Sequence, residues 1–401
     1  MTRILIVTGD GCTPDLDYAF FRMREEGFHV TVAAPKKQRV YAVLQQQEEG
    51  WDNYIERPWY NVDADASFDE IDPATFDALL LPGGRAPWHL RNLESCLRLV
   101  RHFVEREKPI GAICRGPLIL LEAGVKGRRL TGSPLIRPRV VIGGSTYVDG
   151  RGEPVRDGNI VTVTGRPYYH VWTRAFLSML RERGHSSTAD RKLGRIRVLI
   201  LIAEATASGI LDYAHFRMLE EGFDVTIAAP VRKPTRTVVI RFAGNGDTFE
   251  QLPGWIVNPD ASLDEVNPAD FDALVIPGGP GPEYLRIDSR CINIIRHFVE
   301  TDKPITAICH GPHLLVEGLV AAGVKRKRMT GTHAVKADIV AAGYEYVDSP
   351  GRAVVDGSIV TAWMRPDYDV WIGAFVSLLS ERGIGVRRAK LIHTSSKSVA
   401  R

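Results

Sequence analysis

The 401-residue chain has little that would commit it to a membrane, to nucleic acid or to a metal-centred fold. No apolar run approaches the roughly 18 residues that a membrane-crossing helix needs. A net charge of +3 over the whole chain gives no basic field, so nucleic acid is not an implied partner. No cysteine–histidine cluster has zinc spacing, and neither a P-loop nor a GxGxxG fingerprint occurs, so no metal and no nucleotide cofactor is expected. Cysteine is scarce: Cys12, Cys96, Cys114, Cys291 and Cys309. An odd count argues for reduced thiols in a cytoplasm and against a disulfide framework. The opening MTRILIVTGDG lacks the apolar core of a signal peptide and reads as a first β-strand.

What the chain does have, it has twice. LDYAFFRMREEGFHVTVAAP at 16–35 returns as LDYAHFRMLEEGFDVTIAAP at 211–230, FDALLLPGGRAP at 76–87 as FDALVIPGGPGP at 271–282, and KPIGAICRGPLIL at 108–120 as KPITAICHGPHLL at 303–315. A repeat this long is a whole domain, not a solenoid unit. The expected layout is a first domain over 1–184, a polar linker over 185–194, a second domain over 195–386 and a loosely held tail over 387–401.

Each half alternates strand and helix. Apolar runs such as ALLLPGG and ALVIPGG read as central strands of a parallel sheet buried on both faces, and the stretches ending at Gly27 and Gly222 read as amphipathic helices. The fold expected is α/β, two tandem flavodoxin-like doubly wound domains packed as a pseudo-dimer. Residues 36–60 and 232–254 differ most between the halves and are expected at the mouth of each site.

The chemistry is expected where a strand meets a helix at Cys: AIC-H-GP at 307–312 and AIC-R-GP at 112–117. A residue in such a sharp turn is held in strained backbone with its side chain exposed, as in a nucleophile elbow. The following helix N-terminus offers a positive dipole end and free N–H groups that lower a thiol's pKa. Those donors, with the glycine pairs Gly83–Gly84 and Gly278–Gly279, would also stabilise a developing oxyanion. A lone Cys after a strand is otherwise an inert small hydrophobe, but a basic residue follows it in both halves. Arg115 beside Cys114 would stabilise a thiolate or bind an anionic substrate, or else mark a decayed site; its permanently charged guanidinium cannot shuttle protons.

These motifs, AICHGP, PGGPGPEYLR and VVDGSIVTA, resemble the ThiJ/PfpI superfamily over nearly all of both halves, and the two-copy layout resembles its plant tandem members described as glutathione-independent glyoxalases (glyoxalase III). The resemblance implies a class I glutamine amidotransferase-like domain, a nucleophile at Cys309 and Cys114, a following His at His310, and a second His at His333, where the first half has Pro134 or Ser133. It also implies a glutamate at Glu283, which PfpI-like proteins present across a subunit interface and which Trp88 replaces in the first half. An acid on the first helix should bond the thiolate. Asp15 occupies that position in the first half, Ile210 in the second; Asp17 and Asp212 are substitutes, or plain helix N-terminal carboxylates.

The function expected is a cofactor-independent, cysteine-dependent enzyme that acts on a small reactive carbonyl, with methylglyoxal-to-lactate conversion as the leading case. The second half is read as the active copy and the first as degenerate or regulatory. A divergent lyase or hydratase on the same elbow, and a non-catalytic redox-sensing protein, are the alternatives. The expected partners are a small molecule and further copies of the chain as an oligomer of pseudo-dimers, with no nucleic acid and no membrane.

Overall fold

The computed structural model describes all residues except 48–49, 51–52, 186–193, 244–247 and 385–401, so most of the linker and the tail lie outside the described residues. The chain forms two compact units, Met1–Asp190 and Arg191–Arg401.

In the first unit seven strands, β1 (Arg3–Val7), β2 (His29–Ala34), β3 (Ala66–Ser67), β4 (Ala78–Leu81), β5 (Ile110–Ile113), β6 (Val155–Asp157) and β7 (Ile160–Val163), form one sheet in the order β6-β7-β5-β4-β1-β2-β3. All pairs are parallel except β6–β7. The second unit repeats this with β8 (Arg197–Leu201), β9 (Asp224–Ala229), β10 (Ala261–Ser262), β11 (Ala273–Ile276), β12 (Ile305–Ile308), β13 (Val354–Asp356) and β14 (Ile359–Ala362), in the order β10-β9-β8-β11-β12-β14-β13. The run β2-β1-β4-β5-β7 and its counterpart β9-β8-β11-β12-β14 are the flavodoxin-like order, which places ligands at the carboxyl ends of the strands. Both sheets are flanked by helices, as the apolar runs ILIV, ALLL and IGAI require: every residue of β4 and β5 is buried, which strands in a two-sided core demand.

Five helices of each unit matter to the site. They are α1 (Asp15–Glu25), α2 (Ala86–Leu90), α3 (Glu94–Glu105), α4 (Pro117–Glu122) and α5 (Tyr169–Glu182), then α6 (Ser208–Glu220), α7 (Gly281–Leu285), α8 (Ser289–Glu300), α9 (Gly311–Ala321) and α10 (Tyr368–Glu381). Acids in the first turn of α1 and arginines in its last complement the helix dipole, and Gly27, at φ +78°, ends it. In the second unit Leu274, Ile276, Ile305 and Ala307 of the sheet pack on Ile294, Ile295 and Phe298 of α8 and on Leu315 and Leu319 of α9. This fixes the start of α9 directly beyond β12. No helix among the described residues is long and apolar enough to cross a membrane.

The divergent segments are antiparallel hairpins: Val43–Gln47 with Tyr54–Pro58, and Thr235–Ala243 with Thr248–Val257. The first brings Gln45 to the elbow of its unit; the second is tied to the loop beyond β8 through Val238 N–H to the Thr206 carbonyl at 2.9 Å.

Candidate functional site

Both elbows form with the strained backbone that the sequence predicts, but their side chains are not exposed as expected: Cys309 is buried and Cys114 only partly open. Cys114 follows β5 with φ +58° and Cys309 follows β12 with φ +63°, the left-handed region that non-glycine residues rarely enter. Such strain persists only where the surroundings over-determine it, and the PGG turns supply the surroundings. A Cβ on Gly83 would stand 2.6 Å from Cys114 Cβ and 2.8 Å from Asp15 Oδ2; a Cβ on Gly278 would stand 2.5 Å from Cys309 Cβ. Only glycine lets the turn lie against the elbow. Backbone N–H groups face each sulfur, from Gly84 and Arg115 in the first unit and from Gly279 and His310 in the second.

These donors draw the thiol pKa down, yet the balance goes the other way. Burial pushes both Cys114 and Cys309 up to about 11, although Cys114 keeps a partial opening to solvent. The sequence-based expectation of an elbow that lowers the thiol pKa is corrected here: desolvation of the charged form outweighs the helix terminus and its two N–H groups. A thiol so placed is protonated at neutral pH.

The first unit sets a buried carboxyl near its cysteine. Asp15, at the start of α1, is 2 % exposed and lies across Gly83 from the cysteine. Its carboxylate accepts from Gly83 N–H at 2.8 Å, Thr13 Oγ1–H at 2.8 Å and Leu16 N–H at 3.0 Å. Burial, partly offset by these three donors, pushes its pKa up to about 7, and its charge in turn raises Cys114. Arg115 is buried at 7 % exposure and donates from Nη1 to Gln45 Oε1 at 2.8 Å, while its Nε has no hydrogen-bond partner. Gln45 Nε2 in turn donates to Glu56 Oε1 at 2.7 Å, and Glu56 pairs with Arg85 at 2.5 Å. The first hairpin thus holds Arg115 beside the sulfur through a neutral amide, not through an acid.

The second unit replaces this equipment. Ile210 stands where Asp15 stands, and His310, Glu283 and His313 stand where Arg115, Trp88 and Leu118 do. His310 Nδ1 is 2.5 Å from Glu283 Oε1, so the glutamate that the resemblance implies across a subunit interface meets the histidine of its own unit. His313, on the first turn of α9 and 7 % exposed, places Nδ1 2.8 Å from Asp338 Oδ2. Burial lowers its pKa, with Asp338 acting in the opposite sense.

Other contacts surround the remaining candidates. Asp17 is buried and accepts from Trp59 Nε1–H at 2.9 Å. Asp212 is buried at the matching place on α6. Neither is among the groups that shift the thiol of its unit, whereas Asp15 is. His333 is exposed, with Nε2 3.9 Å from Asp348 and its ring against Trp363; its neighbour Thr332 donates its N–H to the Cys309 carbonyl at 3.1 Å. Trp88 lies on α2 beneath the guanidinium of Arg91. Three partners escape sequence reading: Gln45, Asp338 and His313. Only His313 left a signal, three residues after His310 and so on the same helical face.

Comparison with known proteins agrees with this geometry. The model of the DJ-1/PfpI family matches residues 2–179 and again 196–378. Protein DJ-1 homolog D of Arabidopsis thaliana is 31% identical over 343 residues, 82% of this chain and 84% of that protein. DJ-1 protein homolog F of the same plant is 27% identical over 346 residues, again 82% and 84%. A deglycase of Pyrococcus abyssi is 36% identical over 185 residues, 46% of this chain and 99% of its own length.

Proposed function

Because the chain belongs to the DJ-1/PfpI family, we propose that it is a cysteine-dependent enzyme of small reactive carbonyls that converts methylglyoxal to lactate without glutathione, and that its first unit carries the chemistry. The single observation that supports placing it there is the carboxyl of Asp15 across Gly83 from Cys114, with Ile210 in the corresponding place of the second unit. This moves the proposal away from the second half, which the Cys-His pair favoured on sequence. The deglycase name of the archaeal relative supports carbonyl chemistry in general.

In this reading the Cys114 sulfur adds to the aldehyde carbon while its proton passes by way of the Asp15 carboxylate to the carbonyl oxygen, giving a hemithioacetal and leaving Asp15 ionised. Asp15 then moves the hydrogen from the former aldehyde carbon to its neighbour by way of an enediol, leaving a thioester of lactate. Water releases lactate and restores the thiol. One water is consumed, and the two carbons exchange oxidation level internally, so no external oxidant or reductant is needed. A carboxyl poised near 7 suits a group that both accepts and donates a proton at neutral pH. The Gly84 and Arg115 N–H groups hold the oxyanion, and the unpaired edge of the Arg115 guanidinium receives the carboxylate of the product. Five free thiols support a reducing compartment such as the cytoplasm.

Methylglyoxal consumption with lactate detection, without glutathione, tests the reading on wild type, Cys114→Ala, Asp15→Asn and Cys309→Ala. Activity should vanish with Cys114→Ala, fall about 10²–10⁴-fold with Asp15→Asn, and survive Cys309→Ala. Loss with Cys309→Ala alone would move the chemistry to the second unit. Absence of lactate from the wild type, with Cys114 still alkylated, would rule out this substrate.

A further inference from the structure

We propose that Glu283, His310 and His313 form a binding site for a first-row divalent cation, zinc in the first instance, confined to the second unit. The three side chains come from two elements, α7 and the start of α9, and one ligand atom from each lies within 4.8 Å of the other two. A tetrahedral zinc with bonds of about 2.0–2.2 Å needs its ligand atoms about 3.3–3.6 Å apart, within reach of small side-chain rotations. The rings of His310 and His313 are 5.5 Å apart at 73°, one helical turn from each other on the same side of α9.

The outer contacts are those of a metal site. Asp338 Oδ2, 2.8 Å from His313 Nδ1, fixes the proton on that nitrogen and leaves Nε2 with its lone pair free, the carboxylate–histidine arrangement that orients a ligand ring. Arg286 Nη1 stands 3.3 Å from the same nitrogen, but its charge is met by Glu317 at 2.5 Å and by Asp338 at 3.2 Å. At the 2.5 Å contact between His310 and Glu283 the ion takes the place of a shared proton. Two imidazoles and one carboxylate leave a fourth position open.

Two further features separate this from a chance cluster. All three ligands are absent together from the first unit, where Trp88, Arg115 and Leu118 stand, and Arg139 stands where Asp338 does. The elbow and the Arg286–Glu317 pair, by contrast, have counterparts in both units, the latter in Arg91–Glu122 at 3.7 Å.

The test is a zinc chloride titration of the full chain, stripped with a chelator beforehand, against a competing chromophoric zinc indicator. One zinc per chain is expected. Glu283→Gln, on an exposed side chain that folding does not need, and His313→Gln should each weaken binding at least tenfold, and Asp338→Asn about 10–100-fold. Cys309→Ser should bind zinc as the wild type does, and cobalt bound in place of zinc should show ligand-field bands without a thiolate charge-transfer band. Binding unchanged in Glu283→Gln and His313→Gln, binding lost in Cys309→Ser, or a stoichiometry near zero would each overturn the proposal.

Discussion

The two units share a backbone and divide the polar equipment between them. Each holds a cysteine at positive φ against a glycine pair with two N–H groups on the sulfur, so the elbow is a property of the fold. Everything that gives the elbow a proton partner is local to one unit. The first has a buried carboxyl and a guanidinium, and the second has two imidazoles and an exposed carboxylate. The roof differs as well. A Cβ on Gly165 would lie 3.7 Å from Cys114 Sγ, so the chain closes on that sulfur without covering it, and the matching residue in the second unit is Met364. A strand-to-helix turn therefore specifies where a nucleophile sits but not what it does.

The sharpest way to break this comparison is to exchange the acid position. Asp15→Ile gives the first unit the second unit's residue, and lactate formation should fall by about 10²–10⁴-fold with the fold intact by circular dichroism. Full activity in that variant would show that the two centres do not differ as described.

Next in size is the pH dependence that Asp15 imposes. Its pKa rises from 3.8 to about 7 on folding, so between those values the folded state holds a proton that the unfolded state has released. Stability should therefore fall as pH rises from about 4 to about 7, by an amount on the order of 4 kcal/mol, and level off above. Denaturant unfolding of Asp15→Asn across that range should lack this fall; a slope like that of the wild type would mean that the carboxyl is not buried as placed.

Trp59→Phe removes the N–H that Asp17 accepts and should cost about 1–3 kcal/mol in chemical denaturation, with turnover per folded molecule unchanged. A large loss of turnover at equal stability would return Asp17 to the site. The smallest effect is expected at the surface of the second unit. Glu283→Gln, without added metal, should shift stability by less than about 1 kcal/mol, since Glu283 is half exposed.

Much of this was legible before any coordinates. The repeat, the alternation of strands and helices, and AIC-x-GP following an apolar run place both elbows by pattern alone. Asp15 was within reach by counting back from Gly27, but its neighbour Asp17, two residues on, competes in any alignment, and only burial against Gly83 separates them. His313 lies in an apolar helix, PHLLVEG, where a histidine reads as core; its partner Asp338 is 25 residues away and could not be paired from sequence. The hairpin that brings Gln45 to Arg115 falls in the segment least alike between the halves. Periodicity reports which face a residue takes, whereas these contacts depend on which loop returns to which strand end.

Covalent duplication also changes how such a protein can drift. In an assembly of identical chains every substitution appears in every centre, so a mutation that ruins one ruins all. Here the second unit holds Ile210 and His313 where the first holds Asp15 and Leu118. One centre can be rebuilt while the other goes on working, and each chain always delivers the two in equal number.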